Sequence, residues 1–580
     1  MGQKLIRHFF RDHLGQYLMA IVTIGLSKVL QVQIPRIIGN FIDQFRAGIT
    51  PLMIERFAAE IALISMGYVA LFGVGQFTVG KLARLFEGDL RRRLFEHWEY
   101  LESHYFEQHT VGDLLSHVLN DVPAIRQALA GGINQTLQAV FLFTATLVMT
   151  IADINVSLTL VSLIPLLLIP AVVVKLGPKI RRQSRVVQET LSAMAGMTEE
   201  SLQSIRLVKS TGNEPVESQR FTEKVGIIYE NSMRLVRLNT TFQALIPLLT
   251  GISFAIALVY GGALTLDHRI TIGSFVAFTV YLSMLVRPLM QFGNVINIFQ
   301  NSSASLLRIE TLLQAEPQIT DPENPHAVPV HGPIAFHDLT FTYPEGSEPV
   351  LRHISLTVPE GSTLGIVGRT GAGKSTLSRL LLRELDPPPG TLTIGGVDIR
   401  DVARADLRES ITYVPQDGFL FSSSIGQNIA FPVEQEDPAQ IHQAAHDANI
   451  LATVQTMPEG FDTVVGEHGL TLSGGQRQRV AIARALIKSH SRIVILDDSL
   501  SAVDSKTEST ILEALQALHG KGRTLIITSH RLSSLRLADH IVVLDGGEIA
   551  EYGTPAQLLR NNGFYARLYA IQSQGSENHG

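Results

Sequence analysis

The chain has 580 residues, of which 45% are hydrophobic and only 17% charged, against about 25% charged in an average soluble protein. Its net charge is −6 and it has no cysteine, which excludes disulfides and thiolate metal sites without identifying a compartment. The length accommodates several domains, and no basic patch argues for a nucleic-acid partner. The opening Met1–Phe10 carries no small-residue cleavage site, so no removable signal peptide is expected.

Six apolar windows have about the 20 residues a helix needs to cross a bilayer core. They fall at Gln16–Ile38, Ile61–Gly80, Ile133–Ala152, Val156–Val174, Phe242–Leu264 and Ile272–Val295. Arg84, Arg91, Arg92 and Arg93 follow the second window, and Lys175, Lys179, Arg181, Arg182 and Arg185 follow the fourth, while the opposite loops are short and carry few cations. That asymmetry and the even count predict that both chain ends lie in the cytoplasm. Lys28 and Arg287 stand about midway along the first and sixth windows, where a charge costs at least about 2.5 kcal/mol. Two explanations fit: a water-filled cavity that meets anionic or zwitterionic molecules, or an ion pair with a carboxylate on a partner chain. Arg36 and Glu60 are equally far from the middle of the first outer turn and are expected to pair.

The stretches between windows two and three, and four and five, are long, polar and helix-periodic. They read as extensions of the membrane helices, with sharp turns at Thr110–Asp113 and Lys209–Pro215. A proline-rich polar segment, Gln314–Gly332, reads as an extended linker. Beyond it strands alternate with helices, the pattern of an α/β domain that binds nucleotide at strand carboxyl ends. The expected organisation is therefore an all-α transmembrane domain over 1–313, a linker over 314–332 and an α/β nucleotide-binding domain over 333–580.

Gly368-Arg369-Thr370-Gly371-Ala372-Gly373-Lys374-Ser375-Thr376 is a phosphate-binding loop. Its glycines let backbone N–H groups curl around a polyphosphate, Lys374 reaches the β- and γ-phosphates, and the Ser375 hydroxyl meets Mg²⁺. Ile493–Asp497 reads as a buried strand ending in a carboxylate that holds Mg²⁺ through its water shell. Leu472-Ser473-Gly474-Gly475-Gln476 resembles the signature of ABC ATPases, in which a helix N-terminus faces the γ-phosphate held by another copy of the domain.

With these strings in place the whole chain resembles bacterial ABC exporter half-transporters, six membrane helices fused to one ATPase domain. The resemblance implies ATP and Mg²⁺ as cofactors, Tyr343 stacked on adenine, and Gln416 contacting Mg²⁺ and water. It implies Asp504 in the loop at the dimer interface, His530 as γ-phosphate sensor, and Thr463–Gly469 as the exporter-type loop that touches the helical tips. It also implies a dimer in the cytoplasmic membrane, surrounded by lipid, that moves small amphiphilic compounds such as drugs or lipids outward.

One position departs from the family pattern. Where a glutamate normally follows the Mg²⁺ aspartate and polarises the attacking water, this chain has Asp498. Its carboxylate is set back by about 1.5 Å, and an error of about 1 Å can cost about a hundredfold. The expectation is a chain that binds ATP well, hydrolyses it slowly on its own loop, and completes a competent site on a partner retaining the glutamate. The string Asp498–Asp504 resembles the degenerate subunit of heterodimeric multidrug exporters, which makes a non-identical partner the expected one, with a homodimer of slow turnover as the alternative.

Overall fold

The computed structural model describes residues 2–577 except 49, 330, 345, 467, 468, 470, 489, 520 and 521. The chain divides into two compact units, Met1–Glu316 and Pro317–Gly580.

Among the described residues of the first unit, six helices are long and apolar enough to cross a membrane: Leu14–Phe45, Pro51–Tyr100, Val111–Asp153, Val156–Gln203, Glu214–Leu266 and Ile272–Leu313. They outrun the apolar windows because charged and polar turns continue the same helices beyond them. Leu63, Met66 and Val259 are each over 70% exposed, as side chains facing lipid must be. The inner faces pack large apolar side chains such as Leu166, Phe278 and Leu285, with small and polar groups at the close crossings. Gly273 on the sixth helix lies against Gly39 of the first, so closely that a Cβ there would come within 1.9 Å of the Gly39 carbonyl. The Tyr281 hydroxyl donates to the Val32 carbonyl (2.8 Å), and the Ser253 hydroxyl of the fifth helix to the Ser162 carbonyl of the fourth (2.5 Å).

The polar extensions are held by buried carboxylates. Glu87 is bridged by Arg84, Arg91 and Arg126 at 2.9, 2.9 and 3.2 Å, tying the second helix to the third. Asp121 sits in a π-bulge, His117–Asp121, of the third helix. It accepts from the His117 ring (2.6 Å), the Ser305 hydroxyl (2.8 Å) and both Nε and Nη2 of Arg308, so the third and sixth helices are joined there. Burial pushes the Asp121 carboxyl up, but the hydrogen bonds from Arg308, His117 and Ser305 outweigh it and hold it at about 2. At the two expected turns stand short helices, Ser103–Gln108 and Ile205–Thr211. Thr110 caps the helix after the first by accepting from the Asp113 amide, and Gly212, at φ +65°, ends the second.

Arg36 does not pair with Glu60. Its partner is Asp153 at the end of the third helix, 3.4 Å away. Helix packing, not distance from the turn, brings that acid to the C-terminal half of the first helix.

The second unit is an α/β fold with two sheets. β1 (Ile334–Phe341), β2 (Leu351–Val358), β4 (Leu392–Ile394) and β5 (Val397–Asp398) form an antiparallel sheet in the order β2-β1-β4-β5. The second sheet runs β10-β9-β3-β8-β7-β6, built from β3 (Thr363–Gly368), β6 (Ile411–Val414), β7 (Ile493–Asp497), β8 (Thr524–Thr528), β9 (His540–Asp545) and β10 (Glu548–Gly553). All of it is parallel except β10. β3, β7 and β8 are buried at every residue, which explains their unbroken apolar reading as central strands of a parallel sheet. The proline-rich segment is fastened to this unit from Pro317 on. Arg383 donates to the Thr320 carbonyl (2.8 Å), Arg492 to that of Pro329 (2.7 Å), and His326 to that of Asp401 (2.7 Å). Prolines remove donors from a strand but leave its carbonyls free to accept.

Candidate functional site

β3 delivers the phosphate-binding loop at its carboxyl end, and the helix Lys374–Leu381 follows at once. Gly371 and Gly373 have φ of +83° and +94°, and a Cβ on Gly373 would lie 2.6 Å from the Leu351 side chain. Only glycine allows the loop to close there. Arg369, Thr370, Gly371 and Ser375 form the exposed rim, and Ala372, Gly373, Lys374 and Thr376 are buried beneath it. The Lys374 ammonium donates to the Gly368 and Arg369 carbonyls at 2.9 and 3.0 Å. Burial lowers its pKa, against the opposing pull of Asp498 and Asp497.

β7 ends at Asp497, beside the loop. One Asp497 oxygen accepts from the Thr528 hydroxyl at 2.5 Å and the other from Tyr413 at 3.4 Å. Burial and then the charge of Asp497 push the Tyr413 hydroxyl up, which keeps it a donor. Each carboxylate oxygen retains a free lone pair, and Ser375 is open on the rim. That donor set suits an ion bound through one hydroxyl, one carboxylate, phosphates and water, as Mg²⁺ is.

Asp498 follows at φ +46°, in the left-handed region that aspartate tolerates. Its amide donates to the Thr528 carbonyl (3.0 Å), and its carboxylate, 9% exposed, accepts from the His530 amide at 3.4 Å. His530 is exposed, and its carbonyl takes a bond from Gln572 at 2.9 Å. The Tyr343 hydroxyl lies 3.1 Å from that of Thr376, and the Arg379 guanidinium stands 5.9 Å from its ring.

The signature begins the helix Gly474–Leu486 with a reciprocal cap: the Gln476 amide donates to the Ser473 hydroxyl (3.3 Å), and the Ser473 amide to the Gln476 side chain (2.8 Å). Ser473 and Gly474 are exposed, so the amides of the first turn face outward. Asp504 caps the helix Ser505–His519 by accepting from the Thr507 amide at 3.0 Å. Among the described residues no hydrogen bond joins Ser473–Gln476 to Gly368–Thr376. Glu467 and His468, in the loop expected to touch the helical tips, lie outside the described residues.

Two groups escaped the sequence reading. Gln478, 3% exposed, donates to the Gln416 carbonyl (3.4 Å) and accepts from the Ala502 amide (3.1 Å). It thus joins the exposed Gln416 loop to the loop before Asp504. In sequence it is one more polar residue on a helix, and only burial distinguishes it. Thr528 is paired with Asp497 across β8 and β7. Its hydroxyl at the end of an apolar strand was the available signal.

The description "ABC transporter transmembrane region" matches residues 17–289, and "ABC transporter" matches 351–501. The chain is 36% identical to a Bacillus subtilis protein described as a probable multidrug resistance ABC transporter ATP-binding/permease protein, across 98% of this chain and 97% of that one. It is 32% identical to the ATP-dependent lipid A-core flippase of Thiobacillus denitrificans, across 97% of each. A solved bacterial Atm1-family ABC exporter with ATP bound superposes with a TM-score of 0.78 at 27% identity, covering 97% of this chain and 99% of that one. The chain belongs to the ABC transporter family, as a bacterial exporter half-transporter in which a membrane-spanning helical domain is fused to an ATP-binding ABC ATPase domain.

Proposed function

We propose that this chain is one half of a dimeric exporter that uses ATP to move amphiphilic compounds, drugs or lipids, out of the cytoplasm. The observation that carries this is the joining of phosphate loop, Mg²⁺ aspartate and signature to six spans in one chain related end to end to multidrug and lipid A-core transporters. On this reading residues 1–313 span the membrane with both termini cytoplasmic, and 333–580 form the ATPase.

Each ATP sits on the loop Gly368–Thr376 of one chain, with adenine against Tyr343, and is closed over by Ser473–Gln476 of the other. Ser375, Gln416 and Asp497 would hold Mg²⁺, which when bound would neutralise charge on the phosphates. Asp504 lies at the dimer interface and His530 senses the γ-phosphate. ATP favours the closed arrangement because it binds that state more tightly.

Asp498 is a slow base on this reading. Its short carboxylate is engaged by the chain's own His530 amide, and a base must lie within hydrogen-bond reach of its water. A non-identical partner with a glutamate would then supply the fast site, completed by this chain's signature. The same residue favours a second reading, a chiefly regulatory ATP-binding subunit.

Turnover of the purified chain beside Asp498→Glu tests the assignment. Slow native turnover and a rise of about tenfold to a hundredfold in the variant support it. Brisk turnover by the native chain alone makes it a self-sufficient homodimer. Mixing with the candidate partner then separates the two readings: an exporter moves substrate, a regulatory subunit only alters the partner's ATPase.

A further inference from the structure

The first, second, third and sixth membrane helices enclose a cavity of about 400 Å³. Lys28 lines it while only 3% exposed, and its ammonium has a single hydrogen bond, to the neutral Gln31 amide at 3.0 Å. Two aromatic faces, Tyr68 and Phe72, lie 5.2 and 4.8 Å from the ammonium. Arg287 lines the same cavity from its exposed side. The acids of the neighbouring outer ends are engaged elsewhere. Asp153 pairs with Arg36, and Asp43 accepts from the Gly273 amide at 2.7 Å. Among the described residues neither cavity cation has a carboxylate within ion-pair distance, so one cavity holds two positive charges and neutral amides.

Such a site is unfavourable until an anion enters it. Buried charges are ordinarily paired, and within spans an unpaired one faces a ligand path or a partner. Toward the end bearing the polar extensions, the lining continues through Gln138 and Gln291 to hydrogen-bonded amides, Asn294 with Gln135 (2.9 Å) and Asn134 with Gln76. Toward the other end Gly39 and Gly273 pack closely, beside a separate and smaller pocket of about 150 Å³ lined by Arg36, Asn40, Asp153 and Ser274. Apolar wall is supplied by Phe72, Leu142 and Met284.

We propose that Lys28 and Arg287 form an anion-binding subsite that takes the phosphate, sulfate or carboxylate head of an amphiphile entering from the side of the polar extensions. Lys28 holds the head from the floor while its positive charge is braced by the Tyr68 and Phe72 faces. Arg287 closes over it from the rim as a fork of donors. The apolar body lies along Phe72, Leu142 and Met284. The location within the spans, and not the binding itself, rests on the exporter reading.

The test uses the full chain in phosphatidylcholine nanodiscs, with binding counted above that of empty nanodiscs. The probes are dodecyl phosphate, dodecyltrimethylammonium, dodecanol and inorganic phosphate. The native chain should bind dodecyl phosphate about tenfold or more tighter than either the neutral or the cationic probe, as a charge-assisted hydrogen bond warrants. Lys28→Gln and Arg287→Gln should each remove most of that preference, and Lys28→Arg should restore part of it. Equal affinity for the three dodecyl probes overturns the proposal without recourse to any variant. So does an undiminished preference in the double variant while it still binds ATP. Inorganic phosphate binding as tightly as dodecyl phosphate removes the amphiphile from the proposal. Preferential binding of dodecyl phosphate that ATP never converts into transport, alone or with a partner, leaves the subsite standing and sinks the exporter reading instead.

Discussion

The ATPase unit and the membrane unit hold their buried charges in different ways. In the ATPase, Lys374 is satisfied by carbonyls five and six residues away, and Asp497 by a threonine on the adjacent strand. In the membrane unit, Asp121 is held largely by groups more than 180 residues later in the chain, and Lys28 has no acid partner among the described residues. A charge whose partners are local can be assigned from a motif. A charge whose partners come from another helix can be assigned only once the helices are packed.

The largest effect expected from disturbing this contrast is at Lys374. Lys374→Ala removes the ammonium buried in the glycine-rich loop, which on the proposed reading is the main cation for the polyphosphate. ATP turnover should fall about a hundredfold or more, the scale seen when a preorganised transition-state donor is lost. Measured beside nucleotide affinity, this separates a failure to bind from a failure to react.

Gln478 should give the next largest effect, because it is a buried polar group that joins two loops rather than completing one local motif. Gln478→Leu leaves the Ala502 amide and the Gln416 carbonyl without that partner, at about 1–3 kcal/mol. Turnover should drop about tenfold with ATP affinity nearly unchanged, since Gln478 positions the loops and does not belong to the phosphate cradle. A fall in affinity equal to the fall in turnover would mean general destabilisation of the domain.

How much was legible follows the same division. The six spans, the α/β domain and the nucleotide strings stand in the sequence because hydropathy and turn chemistry act over short windows. The Asp498 substitution is visible too, but not its engagement by the His530 amide, which depends on how β7 and β8 end side by side. Gln478 looks like surface, and the Glu87 and Asp121 bridges look like ordinary helix charges. The cavity was legible only as two costly cations, because its remaining lining comes from four helices whose order in space no local pattern encodes.

Asp121 offers a pH-resolved test of the non-local bridges. Its pKa of about 2 lies below the ordinary 3.8. The carboxylate therefore stabilises the fold fully above about pH 4, and that contribution fades as pH falls toward 2. Asp121→Asn should lower stability at neutral pH by about 1–2 kcal/mol, allowing for an Arg308 side chain that is half exposed and partly hydrated. The variant should also lose the acid-dependent step over that window. Thermal unfolding in detergent at pH 7, 3 and 2 would show the gap between native chain and variant narrowing at pH 3 and nearly closed at pH 2.

The smallest effect should come from Arg36, where the expected and the observed partner differ. Its pair with Asp153 spans 3.4 Å with side chains 52% and 30% exposed. Water competes for both, so the pair is worth no more than about 1 kcal/mol. In a double-mutant cycle, Arg36→Ala with Asp153→Asn should show a coupling of a few tenths of a kcal/mol, whereas Arg36→Ala with Glu60→Gln should be additive. The contrast matters more than the size. Arg36 and Glu60 flank one turn in sequence, yet the third helix ends beside the first, and that end supplies the acid. Coupling to Glu60 instead would mean that the first two helices pair at their outer ends as the turn alone suggests, and the third helix would have to end elsewhere.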